Sequence, residues 1–257
     1  MTQINLLATV FFRNAADISR RIANAPYHIV KQHVFRQSLA ALMIMCSVAT
    51  GVITGAVTTS ANADTGNNAG DPVRLMVLGD SLVAGHGLPQ GEAFPDILGA
   101  ALTKAGHNVV MLNAGVSGDT TAGGLARLDW SLADNPDAMI VVLGGNDLLR
   151  GLEPASTRQN IADILNRMHD ENIPVLLAGM QAPRNLGADY AAEFDRIYTE
   201  LGADQRVIFY PFFLEGVALE DRFNQPDGLH PNLDGVTKIT AQILPYAEQL
   251  VAAAQSQ

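Results

Sequence analysis

A short apolar run, Arg74-Leu75-Met76-Val77-Leu78, leads straight into Gly79-Asp80-Ser81 and then Leu82-Val83-Ala84-Gly85-His86-Gly87. A serine at the end of a buried strand, among small residues, is open to approach from several sides. Its hydroxyl is a poor nucleophile until a base takes the proton. Far downstream, Asp227-Gly228-Leu229-His230-Pro231 offers such a base and an acid to orient it. An imidazole with a reference pKa of ~6.5 is largely neutral near pH 7, so it can accept that proton. The two segments together point to serine-based hydrolysis. The residues around Ser81 do not form G-x-S-x-G, so the sharp elbow of the α/β-hydrolase type is not expected.

Each of these residues also has a plainer reading. Ser81 could cap a helix, Asp227 could form a turn before Gly228, and His230 could be a surface histidine before Pro231. Asp80 reads as a residue that ties down its own loop, and Asp119 and Asp147 likewise. Asn146, after Gly144-Gly145, reads on its own as a turn residue. His107 and His169 read as solvated side chains, whereas His86 lies near the expected cleft, where substrate contact stays open. Gly85-His86-Gly87 lacks the third glycine and distal acid of a dinucleotide fingerprint. The acids are scattered without metal-ligand spacing, so no metal and no cofactor are expected.

The elements that must position these residues follow from periodicity. Apolar runs at Arg74–Leu78, Asn108–Leu112, Ala138–Leu143, Pro174–Leu177 and Arg206–Tyr210 read as five strands. Between them lie helical stripes. One is Phe94, Ile97, Leu98, Ala101, Leu102 and Ala105, ended by Gly106. A second is Leu125, Leu128 and Leu132. Ser156 and Gln159 are expected to box the start of a third helix, with Ile161, Ile164, Leu165 and Met168 inward. Tyr190, Phe194, Ile197, Tyr198 and Leu201 mark a fourth. Asn232 is expected to cap a fifth, with Val236, Ile239, Ile243 and Leu250 inward and a kink at Pro245. Five βα units predict a three-layer α/β/α domain on a flavodoxin-like, five-stranded parallel sheet. Ligands of such sheets bind beyond the carboxyl ends of the strands, where the segments after strands one, two, three and five converge.

Composition bounds the rest. Residues 1–63 hold five of the 16 Lys+Arg and one of the 26 acids; residues 64–257 keep 11 and 25, a net charge of −14. That charge disfavours nucleic acid and strongly anionic partners. Leu39 to Val57 has no charged residue and is followed by Ala61-Asn62-Ala63. This pattern predicts a signal peptide over 1–63, with an uncleaved anchor as the alternative. Residues 64–72 read as a flexible lead-in and 73–257 as one domain. The single cysteine, Cys46, lies in the leader, so thiol chemistry is excluded downstream. The expected location is periplasmic or secreted, with no stable membrane insertion once the leader is cleaved. The oligomeric state is not legible.

Four blocks resemble the SGNH (GDSL-type) hydrolase family, and most closely its bacterial thioesterase I/lysophospholipase L1/arylesterase branch. They are Gly79-Asp80-Ser81-Leu82, Asn113-Ala114-Gly115-Val116-Ser117-Gly118-Asp119-Thr120, Leu143-Gly144-Gly145-Asn146-Asp147 and Asp227-Gly228-Leu229-His230-Pro231-Asn232. Gly124-Leu125-Ala126-Arg127-Leu128 and Pro211-Phe212-Phe213 are also similar to that branch, and the likeness runs from about Arg74 to Leu250. It implies Ser81 as nucleophile, His230 as general base and then acid, and Asp227 as the residue orienting His230. It further implies an oxyanion hole formed by the Ser81 and Gly118 amides and the Asn146 side chain. The implied activities are esterase, lysophospholipase and thioesterase, with a small acyl ester or lysophospholipid as substrate. Export and the charge of −14 rank carboxylic esters and lysophospholipids above acyl-CoA. Leu148, Leu149, Leu152, Met180, Pro183 and Leu186 are candidates for an acyl groove, though they could equally seal the sheet edge. Two other readings remain. A carbohydrate O-acetylesterase would need aromatic platforms, and Trp130 is the one tryptophan. A non-catalytic binding protein would lack part of the triad.

Overall fold

The computed structural model describes residues 71–257; the leader expected over 1–63 and all but the last two residues of the lead-in lie outside the described residues. Five parallel strands form one sheet in the order β2-β1-β3-β4-β5. They are β1 (Val73–Gly79), β2 (Val109–Gly115), β3 (Ala138–Val142), β4 (Val175–Ala178) and β5 (Val207–Tyr210). Strand β1 sits between its neighbours, with Leu75 opposite Met111 on one side and Ala138 on the other. Buried on both faces, β1, β3 and β4 are near-continuous apolar runs, as parallel central strands must be. The edge strand β2 is only half covered. The expected fourth strand began at Pro174, but the ladder starts at Val175. Proline has no N–H to give a ladder, although its carbonyl still accepts from the Met139 amide.

The helices are α1 (Ser81–Ala84), α2 (Phe94–Lys104), α3 (Thr121–Ala126), α4 (Leu128–Leu132), α5 (Gly145–Leu149), α6 (Pro154–Asp170), α7 (Ala188–Leu201) and α8 (Leu233–Gln255). Helix α2 packs with α8, while α3 packs with α6 and α6 with α7, so helical layers flank the sheet. No helix among the described residues is long and apolar enough to cross a membrane.

Two local expectations are corrected. Helix α6 is not boxed by Ser156 and Gln159; it starts at Pro154, after Glu153. Proline at the first helical position has a preset φ and no N–H to leave orphaned. Gln159 instead donates to Asp163 one turn on. The stripe Leu125, Leu128, Leu132 is not one helix either. The chain breaks at Arg127, whose guanidinium turns inward to the Gly79 and Ala114 carbonyls at 2.9 and 2.8 Å and to Asp119 at 2.6 Å. Tying the ends of β1 and β2 together outweighs one continuous helix. Asn232 caps α8 as expected, accepting from the Gly235 amide, and Pro245 lies within that helix.

Candidate active site

Strand order reverses between β1 and β3, the switch point at which an open parallel sheet leaves a crevice. Ser81 leaves β1 at this point as the first residue of the one-turn helix α1. Asp80 caps that turn by accepting from the Leu82 amide at 3.0 Å, and Gly85 closes it at φ +78°. Val83, fully buried, anchors the turn. Asp80 thus plays the loop-tying part expected of it. It is buried, which pushes its carboxyl upward, opposed by the Leu82 amide and the Asn146 side chain.

The loop before α8 carries Asp227 and His230. Gln225 and His230 pair across a narrow turn, Gln225 N–H donating to the His230 carbonyl at 2.8 Å and Gly228 N–H to the Gln225 carbonyl at 2.9 Å. Gly228 adopts φ +69°, which an L side chain rarely tolerates. One oxygen of Asp227 accepts from the Leu229 and His230 amides at 2.9 and 3.0 Å. The other lies 2.6 Å from His230 Nδ1, and His230 Nε2 lies 2.9 Å from Ser81 Oγ. The His230 amide, then its ring, then the Leu229 amide hold the Asp227 carboxyl well below the usual carboxylate range. With Asp227 ionised, the ring hydrogen belongs on Nδ1, leaving Nε2 to accept from Ser81.

The same cleft also gathers Ser81, Gly118 and Asn146. Gly118 turns at φ +87°, and its carbonyl accepts from Arg150 Nη2 at 2.7 Å. The Ser81 and Gly118 amides have no hydrogen-bond partner among the described residues. Asn146 follows Gly144, which takes φ +110°; its side-chain amide donates to Asp80 at 3.0 Å and retains a second hydrogen. Leu143, just before, has its carbonyl held by the buried Tyr198 hydroxyl at 2.8 Å. Asp147, also buried, accepts from the Thr121 amide and from the Thr121 and Thr157 hydroxyls. Asp119 pairs with Arg127. Both acids fix loops.

Ser81, Gly118, Asn146 and His230 open on one cleft of about 600 Å³, lined also by Leu82, Leu148, Met180, Pro183, Phe212 and Leu214. Leu149, Leu219 and Leu229 stand exposed at its rim. Of the sequence candidates, Leu148, Leu149, Met180 and Pro183 line it; Leu152 and Leu186 do not. The Leu152 amide folds back on the Asp147 carbonyl and its own carbonyl accepts from Tyr190, which carries it away toward α7. Leu186 ends a separate 3-10 turn. A second cavity, of about 530 Å³, lies near His169, Asp204 and Arg206 and touches none of these groups.

The sequence missed Gln225. Its side chain donates to the His86 carbonyl at 2.7 Å and the Pro231 carbonyl at 3.0 Å, joining the loop after β1 to the loop before α8. It missed Leu214 and Leu219 too, and marked Phe212 by family likeness without placing it in the cleft, since irregular loop residues show no periodicity. His86 does reach the cleft, its ring centroid 4.5 Å from that of His230. The scattered acids hid a cluster: His86, Asp227 and His230 offer three ligand atoms within 4.8 Å of one another.

A hydroxyl, an imidazole and a carboxylate in sequence, facing free amide hydrogens over an apolar cleft at a switch point, define a serine-type ester hydrolase. Comparison with known proteins gives the family. A model of the GDSL-like lipase/acylhydrolase family matches residues 77–238, and the chain belongs to that family. It is 39% identical over 178 residues to the esterase TesA of Pseudomonas aeruginosa, covering 69% of this chain and 89% of that one. To thioesterase 1/protease 1/lysophospholipase L1 of Escherichia coli (strain K12) it is 40% identical over 178 residues, covering 69% and 84%. Among solved structures, the SGNH-hydrolase family esterase AlinE4 is similar at a TM-score of 0.60 and 45% identity, over 70% of this chain and 97% of that chain.

Proposed function

We propose that the protein is an exported esterase, periplasmic or secreted, which hydrolyses carboxylic esters and lysophospholipids through an acyl-enzyme on Ser81, with thioesters and aryl esters as further substrates. One observation carries this reading: Ser81 Oγ, His230 and Asp227 form an unbroken hydrogen-bonded chain at the mouth of an apolar cleft. In this reading Ser81 Oγ attacks the acyl carbonyl carbon while its proton passes to His230 Nε2. The carbonyl oxygen becomes an oxyanion, held by the Ser81 and Gly118 amides and the Asn146 side chain. Collapse breaks the bond to the alcohol or thiol, which leaves with the proton from His230. Water then gives a proton to His230 and attacks the acyl-serine; His230 returns that proton to Ser81 Oγ as the bond to serine breaks and the acid leaves. Asp227 stabilises the imidazolium that forms twice in the cycle.

The lining favours acyl chains over sugars. Among the described residues Phe212 is the one Phe, Tyr or Trp lining the cleft, and Trp130 lies on α4, outside it and 76% exposed. The names of the relatives, esterase and lysophospholipase among them, support the same substrate range. The test is a substrate panel of p-nitrophenyl esters of several chain lengths, lysophospholipids, acyl-CoA and acetylated sugars, run beside Ser81→Ala. Turnover of acyl esters, with a loss of at least ~10⁴-fold in the variant and an unchanged melting temperature, is expected. Retained turnover would falsify the mechanism, and a preference for acetylated sugars would overturn the substrate class.

A further inference from the structure

Of the three ligand atoms that gather at the cleft, the one on His86 has no part in the hydrolytic chemistry. The His86 backbone is tied to both loops of the cleft. Its amide donates to the Ser81 carbonyl at 3.1 Å, and its carbonyl accepts from Gln225, which also grips Pro231 next to His230. Flanking glycines turn at φ +78° and +72° to present it. The ring lies near that of His230, at a centroid separation of 4.5 Å and a tilt of 42°, on an exposed residue.

We propose that His86, Asp227 and His230 bind a zinc-like divalent cation that reversibly inhibits the enzyme. Two imidazoles and one carboxylate are a ligand set for Zn²⁺, Cu²⁺ or Ni²⁺, and a poor one for Mg²⁺ or Ca²⁺, which take oxygen. Tetrahedral Zn²⁺ with bonds of ~2.0–2.1 Å needs its ligand atoms roughly 3.3 Å apart. The ligand atoms lie within 4.8 Å of one another, with Asp227 and His230 at 2.6 Å, so binding requires the His86 ring to turn inward and the Asp227–His230 pair to part, with water completing the shell. Inhibition follows from electron counting. Neutral imidazole has one ring lone pair. A cation that takes it at either nitrogen of His230 leaves the ring proton on the other, and nothing remains to accept the proton of Ser81. The binding needs only this geometry; its inhibitory effect rests on the esterase reading.

The experiment uses the full chain, with Zn²⁺ titrated against p-nitrophenyl ester hydrolysis and against calorimetric binding. Inhibition by Zn²⁺ that EDTA reverses, with no effect of Mg²⁺, is expected. His86→Phe keeps a ring beside His230 but removes a ligand. It should need at least ~10-fold more Zn²⁺ for half-inhibition of its own basal rate, and lose calorimetric affinity by a similar factor. Ser81→Ala, inert as a hydrolase, should still bind one Zn²⁺. Equal sensitivity of wild type and His86→Phe, or no saturable binding to Ser81→Ala, overturns the site. Zinc binding by a protein that hydrolyses no ester sustains the site and removes the esterase reading instead.

Discussion

Asn146→Ala separates an oxyanion donor from a turn residue. The Asn146 amide has two hydrogens; one goes to Asp80 at 3.0 Å, and the other is free to meet charge that appears only as the carbonyl becomes tetrahedral. Removing a donor of this kind typically costs ~10²–10³ in kcat, equivalent to about 2.7–4 kcal/mol of transition-state stabilisation. The ground-state ester carries little charge there, so KM should change little. A structural cost comes with it. Asp80 is buried and keeps only the Leu82 amide as partner once Asn146 is gone, so stability should fall by about 1–3 kcal/mol. The assay therefore pairs steady-state kinetics well below the melting temperature with active-site titration by a phosphonate ester, so that only folded, reactive sites are counted. A kcat per titrated site within tenfold of wild type would refute Asn146 as a donor. A rise in KM at constant kcat would instead make it a substrate-binding residue.

The braces around the site give further expectations. Gln225→Ala removes both side-chain bonds that join the His86 and His230 loops, and kcat should fall about tenfold with a stability loss of about 1–2 kcal/mol; full activity in rapid kinetics would show that the turn holds without it. Tyr198→Phe leaves the Leu143 carbonyl without its buried donor. Chemical denaturation should report a loss of about 1–2 kcal/mol, and an unchanged midpoint would mean that the carbonyl finds another partner. Asp227→Asn tests the pH dependence. Because its carboxyl is depressed in the folded state, the stability it contributes is present above the ordinary carboxyl pKa of ~3.9 and is lost as pH falls through the depressed value. Wild type should therefore lose melting temperature below about pH 4 faster than the variant does, and parallel curves would contradict the shift.

The architecture was legible because each buried strand is a short apolar run and each long helix shows a stripe at its own period. The candidate site was legible because it sits at strand ends, where the topology gathers short segments whatever their separation in sequence. What escaped was whatever depends on side chains reaching across loops. Arg127 breaks the expected second helix because its partners are carbonyls on β1 and β2, which no local pattern announces. Leu152 and Leu186 look like groove residues by type, yet backbone bonds turn one away and a 3-10 turn carries off the other. Gln225 and His86 stand 139 positions apart, and only folding shows that they meet.

The short spacing of Asp227 and His230 couples stability to chemistry. Where acid and base come from different segments, the carboxylate can be lost without opening the loop that carries the base. Here one Asp227 oxygen closes the backbone turn through the Leu229 and His230 amides while the other orients the ring. In the proposed mechanism the charge that stabilises the imidazolium is the one that also shapes the peptide presenting His230. The far side of the cleft shows a matching economy, since Asp80 caps the turn that carries Ser81 and also holds the Asn146 amide. Each carboxylate thus spans one fold contact and one site contact. Loosening either should blur the geometry of the reacting atoms before it unfolds the sheet, because the strands beneath are buried independently of both.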